Sequence, residues 1–136
     1  RLGLPLSIEP RLREIVFGDW EGLRVERVLE QDAARLSRYW QDPVANPPPN
    51  GEPLSDCHAR VGQALDDLFR QAEGRHLLVV AHGGIIRMIL AHVLSMPLAA
   101  VLRLEVAHAG LSRLRVQRDV NGVLAPSLVF HGGSLE

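Results

Sequence analysis

Residues 77–87 read LLVVAHGGIIR, a run of aliphatic side chains that ends in a histidine, two glycines and the start of an apolar helix. In open α/β sheets ligands bind beyond the carboxyl ends of the strands. Glycines allow a ligand close to the backbone, and the N–H groups that open a helix suit an anion. His82 therefore stands where a phosphate is expected. The plainer reading is a structural histidine before a Gly-Gly turn, and spacing alone leaves both open. Residues 12–22, LREIVFGDWEG, hold Glu14, an acid or base if its loop enters the same crevice, where burial raises a carboxyl pKa. Otherwise Glu14 is a solvated loop carboxylate. Residues 49–56, PNGEPLSD, place Gly51 and Ser55 at a helix entrance, as a binding loop or as an ordinary proline-rich turn with an N-cap.

Elements must carry these residues to one place. Leu6 to Glu9 suits a short strand, and residues 11–23 lack a period and read as a loop. Val25, Val28, Leu29, Ala33, Leu36 and Trp40 keep a helical period, so a helix is predicted from Val25 to Trp40, stopping before Asp42-Pro43. Five prolines make residues 43–53 a stiff irregular loop. Ser55 is predicted to cap a helix burying Val61, Ala64, Leu65, Leu68, Phe69 and Ala72, with Gly74 at its end. The run at 77–81 reads as a strand buried on both faces. A helix from Ile85 to Leu94 follows, and Met96-Pro97 lies beyond its end. Strands are predicted over 102–107, 111–118 and 123–130, the last two joined by an Asn121-Gly122 turn. This order predicts a three-layer α/β fold, a mostly parallel sheet with helices on both faces and an antiparallel edge.

Composition narrows the classes. The 136 residues fit one domain with a real core. Fifteen cations, every one an arginine, nearly balance sixteen acids. That excludes a disordered acidic tail and argues against a nucleic-acid partner. The apolar runs are too short to span a bilayer, so no membrane partner is expected. The single Cys57 cannot close an internal disulfide, and a reducing compartment, the cytoplasm, is the default. His58, His76, His92, His108 and His131 show no metal-ligand spacing and are read as structural or surface residues.

Taken together, LREIVFGDWEG, PPPNGEPLSD with Arg60-Val61 in the helix behind it, and VVAHGGIIR resemble the histidine phosphatase superfamily, the phosphoglycerate-mutase-like fold. The resemblance runs from Arg1 to about Arg118 and is nearest to the small phosphatases typified by α-ribazole phosphatase. It implies that His82 hydrogen-bonds the transferring phosphoryl group and that the Gly83 N–H faces the same group. It implies that Glu14 protonates the leaving group and then serves as base for water. The substrate implied is a small phosphorylated metabolite, with α-ribazole 5′-phosphate in cobalamin biosynthesis as the candidate, and with no metal or other cofactor; a homodimer stays open. Where the family has Gly-Gly-Glu-Ser, this chain has Asn50-Gly51-Glu52-Pro53, with Ser55 two residues on.

The family's Arg-His-Gly motif, with its phosphorylated histidine and a phosphate-binding arginine, is absent from these residues. A second phosphate-binding arginine is absent too. The chain is therefore expected to be the C-terminal portion of one histidine phosphatase domain. One βαβ unit needs about 30 residues, so on the order of 60 are expected upstream. The segment alone is expected to fold poorly, with unpaired strand edges, and to be inactive. Three alternatives stand: a mutase or other sugar or small-metabolite phosphatase with the same machinery, a catalytically inactive regulatory member of the fold, and an unrelated α/β domain holding an anion at His82.

Overall fold

A computed structural model describes residues 3–72 and 74–133. Three helices are followed by one hairpin: α1 (Val25–Gln41), α2 (Leu54–Gln71), α3 (Gly83–Val93), β1 (Leu111–Arg118) and β2 (Leu124–Gly133). Short 3₁₀ turns lie at Pro10–Leu12, Gly18–Trp20 and Leu98–Arg103.

The core forms where α2 meets α3. On α2, Leu54, Cys57, Val61, Ala64 and Leu65 are buried at helical spacing, against Ile85, Met88 and Ile89 of α3. Leu12 and Ile15 of the preceding loop and Val101 close this core. The helices approach closely at Gly62, where a β-carbon would lie 2.8 Å from His92 Nδ1. A smaller cluster of Val28, Leu36 and Tyr39 holds α1, with Trp20 edge-on to Tyr39 at 5.6 Å between ring centroids.

Several expectations need correction. Helix α1 is interrupted at Asp32, whose backbone is non-helical and whose Oδ1 accepts the Arg35 N–H at 3.1 Å. That carboxylate caps the second half as an N-cap does, a competition that periodicity cannot reveal. Tyr39 rather than Trp40 is the buried aromatic of α1. Pro53, not Ser55, holds the N-cap position of α2 and offers no side-chain cap, and the Ser55 hydroxyl turns to Asp56. Helix α3 begins two residues before the predicted Ile85, directly after His82. Residues 98–103 form a 3₁₀ turn, and 102–107 form no strand; nor does 6–9. The hairpin agrees with expectation, since Asp119 Oδ1 accepts from the Asn121 and Val123 N–H groups and Gly122 takes φ +78°.

The main difference lies at 77–81. Among the described residues the only sheet is the antiparallel β1–β2 pair, and 77–81 join no ladder. Leu78 is 70% and Val80 88% exposed. A strand apolar on both faces is ordered by neighbours that pair its N–H and C=O groups and cover its side chains. No described segment pairs with it.

Candidate active site

The loop that carries Glu14 is built by contacts on both sides. At its start, Arg11 forks onto both carboxylate oxygens of Glu9 and reaches Asp67 of α2 at 2.7 Å. These hydrogen bonds to Arg11 hold the Glu9 carboxyl down at about 2. Further along, Gly18 sits at φ +59° so tightly under the proline-rich loop that a β-carbon would fall 2.0 Å from the Pro49 carbonyl oxygen. The Asp19 N–H donates to that oxygen at 2.9 Å, and the Asn50 amide donates to the Asp19 carboxylate at 3.0 Å. The two motifs separated by α1 thus lie against each other.

Between these anchors runs a largely buried ion pair. Arg60 of α2 meets Glu52 with two hydrogen bonds, Nε to Oε1 at 2.6 Å and Nη2 to Oε2 at 2.7 Å. Their side chains are 13% and 11% exposed. The guanidinium holds the Glu52 carboxyl below the usual carboxylate range. Arg60 Nη1 also donates to the carbonyls of Arg11 and Arg13, and Nη2 to that of Glu14 at 3.3 Å.

So held, Glu14 points to the first turn of α3. Its Oε1 accepts the Ile15 N–H at 3.0 Å, and its Oε2 lies 3.4 Å from the Gly84 nitrogen as a long acceptor. Gly84 is buried, and a β-carbon there would come 2.6 Å from Glu14 Oε1. Glu14, Gly83 and Gly84 share the wall of a cavity of about 170 Å³ with Tyr39, Arg87 and Leu102. His82 caps α3 in an extended conformation, with an exposed side chain that is not part of this wall. The structure thus brings Glu14 to the glycines beside His82.

Two residues of this cavity carry chemistry that the sequence reading did not assign. Arg87, one turn after Gly83, faces that glycine and donates from Nε to the Leu104 carbonyl at 2.9 Å. Its place at the end of GGIIR is the signal that could have marked it. Tyr39 reaches the cavity from α1; burial pushes its phenol pKa up, opposed by Arg87 and aided by Glu14. Only the fold brings it there. Ser55, considered as a binding residue, is exposed and outside the cavity.

A larger cavity of about 540 Å³ lies between α2, residues 74–81 and β1. Its described wall is mostly aliphatic, with His76, Arg75, Arg113 and Arg118 among its polar members and no carboxylate. Among the described residues no three His, Cys, Asp or Glu side chains gather as a metal centre would require.

A carboxylate set at a glycine-opened helix N-terminus, with an arginine one turn along, can bind an anion and move a proton beside it. The histidine phosphatase superfamily (branch 1) model matches residues 1–127. The chain belongs to this family. An adenosylcobalamin/alpha-ribazole phosphatase of Escherichia coli K12 is 31% identical over 103 residues, 76% of this chain and 51% of that protein. A bifunctional protein of Mycobacterium tuberculosis is 34% identical over 134 residues, 98% of this chain and 36% of that protein. The structure of a mycobacterial glucosyl-3-phosphoglycerate phosphatase superposes with a TM-score of 0.80 at 26% identity, covering 97% of this chain and 66% of that one. The fold of this histidine phosphatase chain is therefore α/β and phosphoglycerate-mutase-like. The chain spans about half of the Escherichia coli relative's length. None of its helices, among the described residues, is long and apolar enough to cross a membrane.

Proposed function

We propose that residues 1–136 are the C-terminal portion of one histidine phosphatase domain, which hydrolyses a small phosphomonoester through a phosphohistidine. The observation that carries this reading is the shared cavity of Glu14 and the Gly83–Gly84 turn at the head of α3. In the first step the phosphorus–oxygen ester bond breaks and a phosphorus–nitrogen bond forms to a histidine upstream of Arg1. Glu14 gives its proton to the departing alkoxide. In the second step water attacks phosphorus, its proton passes to the Glu14 carboxylate, and the histidine leaves. His82 and the Gly83 N–H hold the equatorial oxygens, where charge is greatest during transfer.

As substrate we put forward α-ribazole 5′-phosphate, in the cytoplasm and in cobalamin biosynthesis, on the strength of the Escherichia coli relative. The test uses the full-length protein with α-ribazole 5′-phosphate and a panel of sugar phosphates and phosphoglycerates. Inorganic phosphate released in step with substrate loss, with an acid-labile phosphoenzyme trapped on the way, supports hydrolysis. Isomeric phosphoester without phosphate release indicates a mutase. Absence of both phosphoenzyme and product rejects the reading. Glu14→Gln is expected to lower turnover by ~10²-fold or more and His82→Ala by a comparable factor, within the ranges for losing a general acid or a charge-stabilising donor.

A further inference from the structure

We infer that Arg60 is the positioning residue for the Glu14 carboxyl, holding it through the backbone of its loop; this rests on the role proposed for Glu14. Arg60 lies on α2, outside the wall of the small cavity. Its guanidinium nonetheless donates to three carbonyls in the four residues ending at Glu14: Arg11 at 2.6 Å, Arg13 at 2.9 Å and Glu14 at 3.3 Å. Glu52, paired with it, reaches the other side of Glu14, since the Glu52 N–H donates to the Val16 carbonyl at 2.8 Å. The Val16 N–H in turn faces Glu52 Oε2 at 3.5 Å. The residue carrying the reactive carboxyl is therefore gripped by one ion pair before, at and after its own position.

Carbonyls of an irregular loop that find no partner within it need a donor from elsewhere, and Arg60 is that donor for Arg11, Arg13 and Glu14. The five N–H groups of a planar guanidinium can meet a carboxylate fork and several carbonyls at once, whereas an ammonium is a compact charge with three donors. Glu14 must stay within a hydrogen bond of a leaving oxygen, and misplacement by about 1 Å can cost 10²-fold in rate. A grip on the loop backbone supplies that constraint without touching substrate.

A merely structural role would lower all activity alike; positioning of a general acid would not. The test measures kcat/KM, which reports steps through phosphoryl transfer to the histidine, in the full-length protein. The probes are p-nitrophenyl phosphate, whose leaving group departs without a proton, and glycerol phosphate, whose alkoxide needs one. Glu14→Gln is expected to raise the aryl-to-alkyl ratio by at least ~10-fold. Arg60→Lys and Arg60→Met are expected to raise it by at least about fivefold, and to add no further change in a Glu14→Gln background. The ratio comes from one sample, so a partly folded variant still reports it. A ratio that moves in Glu14→Gln but in neither Arg60 variant overturns the role of Arg60 alone. A ratio unmoved in Glu14→Gln overturns the reading of Glu14 and this one with it. Failure of both Arg60 variants to fold would make Arg60 a stability residue and also overturn the inference.

Discussion

Glu14 and Gly84 are 70 residues apart in the chain, yet Glu14 Oε2 lies 3.4 Å from the Gly84 nitrogen and Oε1 occupies the space a side chain would need. Gly84 is helical, so its lack of a side chain is required by this approach rather than by its backbone angles. Gly84→Ala would put a methyl group 2.6 Å from Glu14 Oε1 and 2.9 Å from Ile15 Cδ1. The expected outcome in the full-length protein is a loss of about 1–3 kcal/mol in stability, as for other overpacked sites, together with at least ~10-fold lower turnover. Denaturant titration and kcat measured on one preparation check both. Wild-type turnover in Gly84→Ala would show that Glu14 need not sit there.

Acid should loosen the seam between α2 and α3. The His58 and His92 rings lie 5.5 Å apart, His92 Nε2 faces Asp66 Oδ1 at 3.3 Å, and His58 Nε2 is buried without a partner. Burial, and then His92, push the His58 pKa below the ordinary histidine value of 6.5. The unfolded chain therefore takes up this proton at higher pH than the folded one. Stability from the neutral ring is present above about pH 6.5 and is lost as pH falls through the folded pKa. Denaturation midpoints between pH 7.5 and about 5 should fall with pH, and His58→Gln should flatten that slope. An unchanged slope would remove His58 from the linkage.

Cys57 should be inert while the protein is folded. Its side chain is fully buried, and burial pushes the thiol up to about 11. Thiolate is the reactive form, so alkylation by iodoacetamide at about pH 8 should be at least ~10²-fold slower in the native state than in denaturant. Comparable rates would show that the α2–α3 core opens readily.

Residues 1–136 produced alone should form no phosphohistidine and hydrolyse no phosphomonoester, on the reading that the nucleophile lies upstream. They should also self-associate, because Leu77, Leu78 and Val80 are more than half exposed beside an unpaired backbone. Sedimentation at rising concentration checks this, with Leu78→Glu and Val80→Glu together expected to lower the association. Phosphatase activity in the isolated segment would place the nucleophile within it, with His82 as the first candidate.

What the sequence determined by itself was local. Periodicity along α2 marked Val61, Ala64 and Leu65 as core, and they are buried. Asn121-Gly122 specified the hairpin turn, because a positive φ is a property of two or three residues. The HGG run marked the head of α3 for the same reason, as a strand-like apolar run gave way to glycines and helical spacing. What required a second part of the chain stayed hidden. The capping of Arg35 by Asp32 competes with a helical pattern that looks unbroken, and Tyr39 was passed over for Trp40 because a single residue's rotation of about 100° decides which ring faces inward. Residues 77–81 have the composition of a buried strand, but pairing belongs to two strands, and none of the described residues supplies the second. The placing of Glu14 beside Gly84, and the grip of Arg60 on three loop carbonyls, arise only when α2, α3 and two loops close on one another. Each such contact gains its energy only after distant chain has been ordered, so no window of local sequence carries its signature.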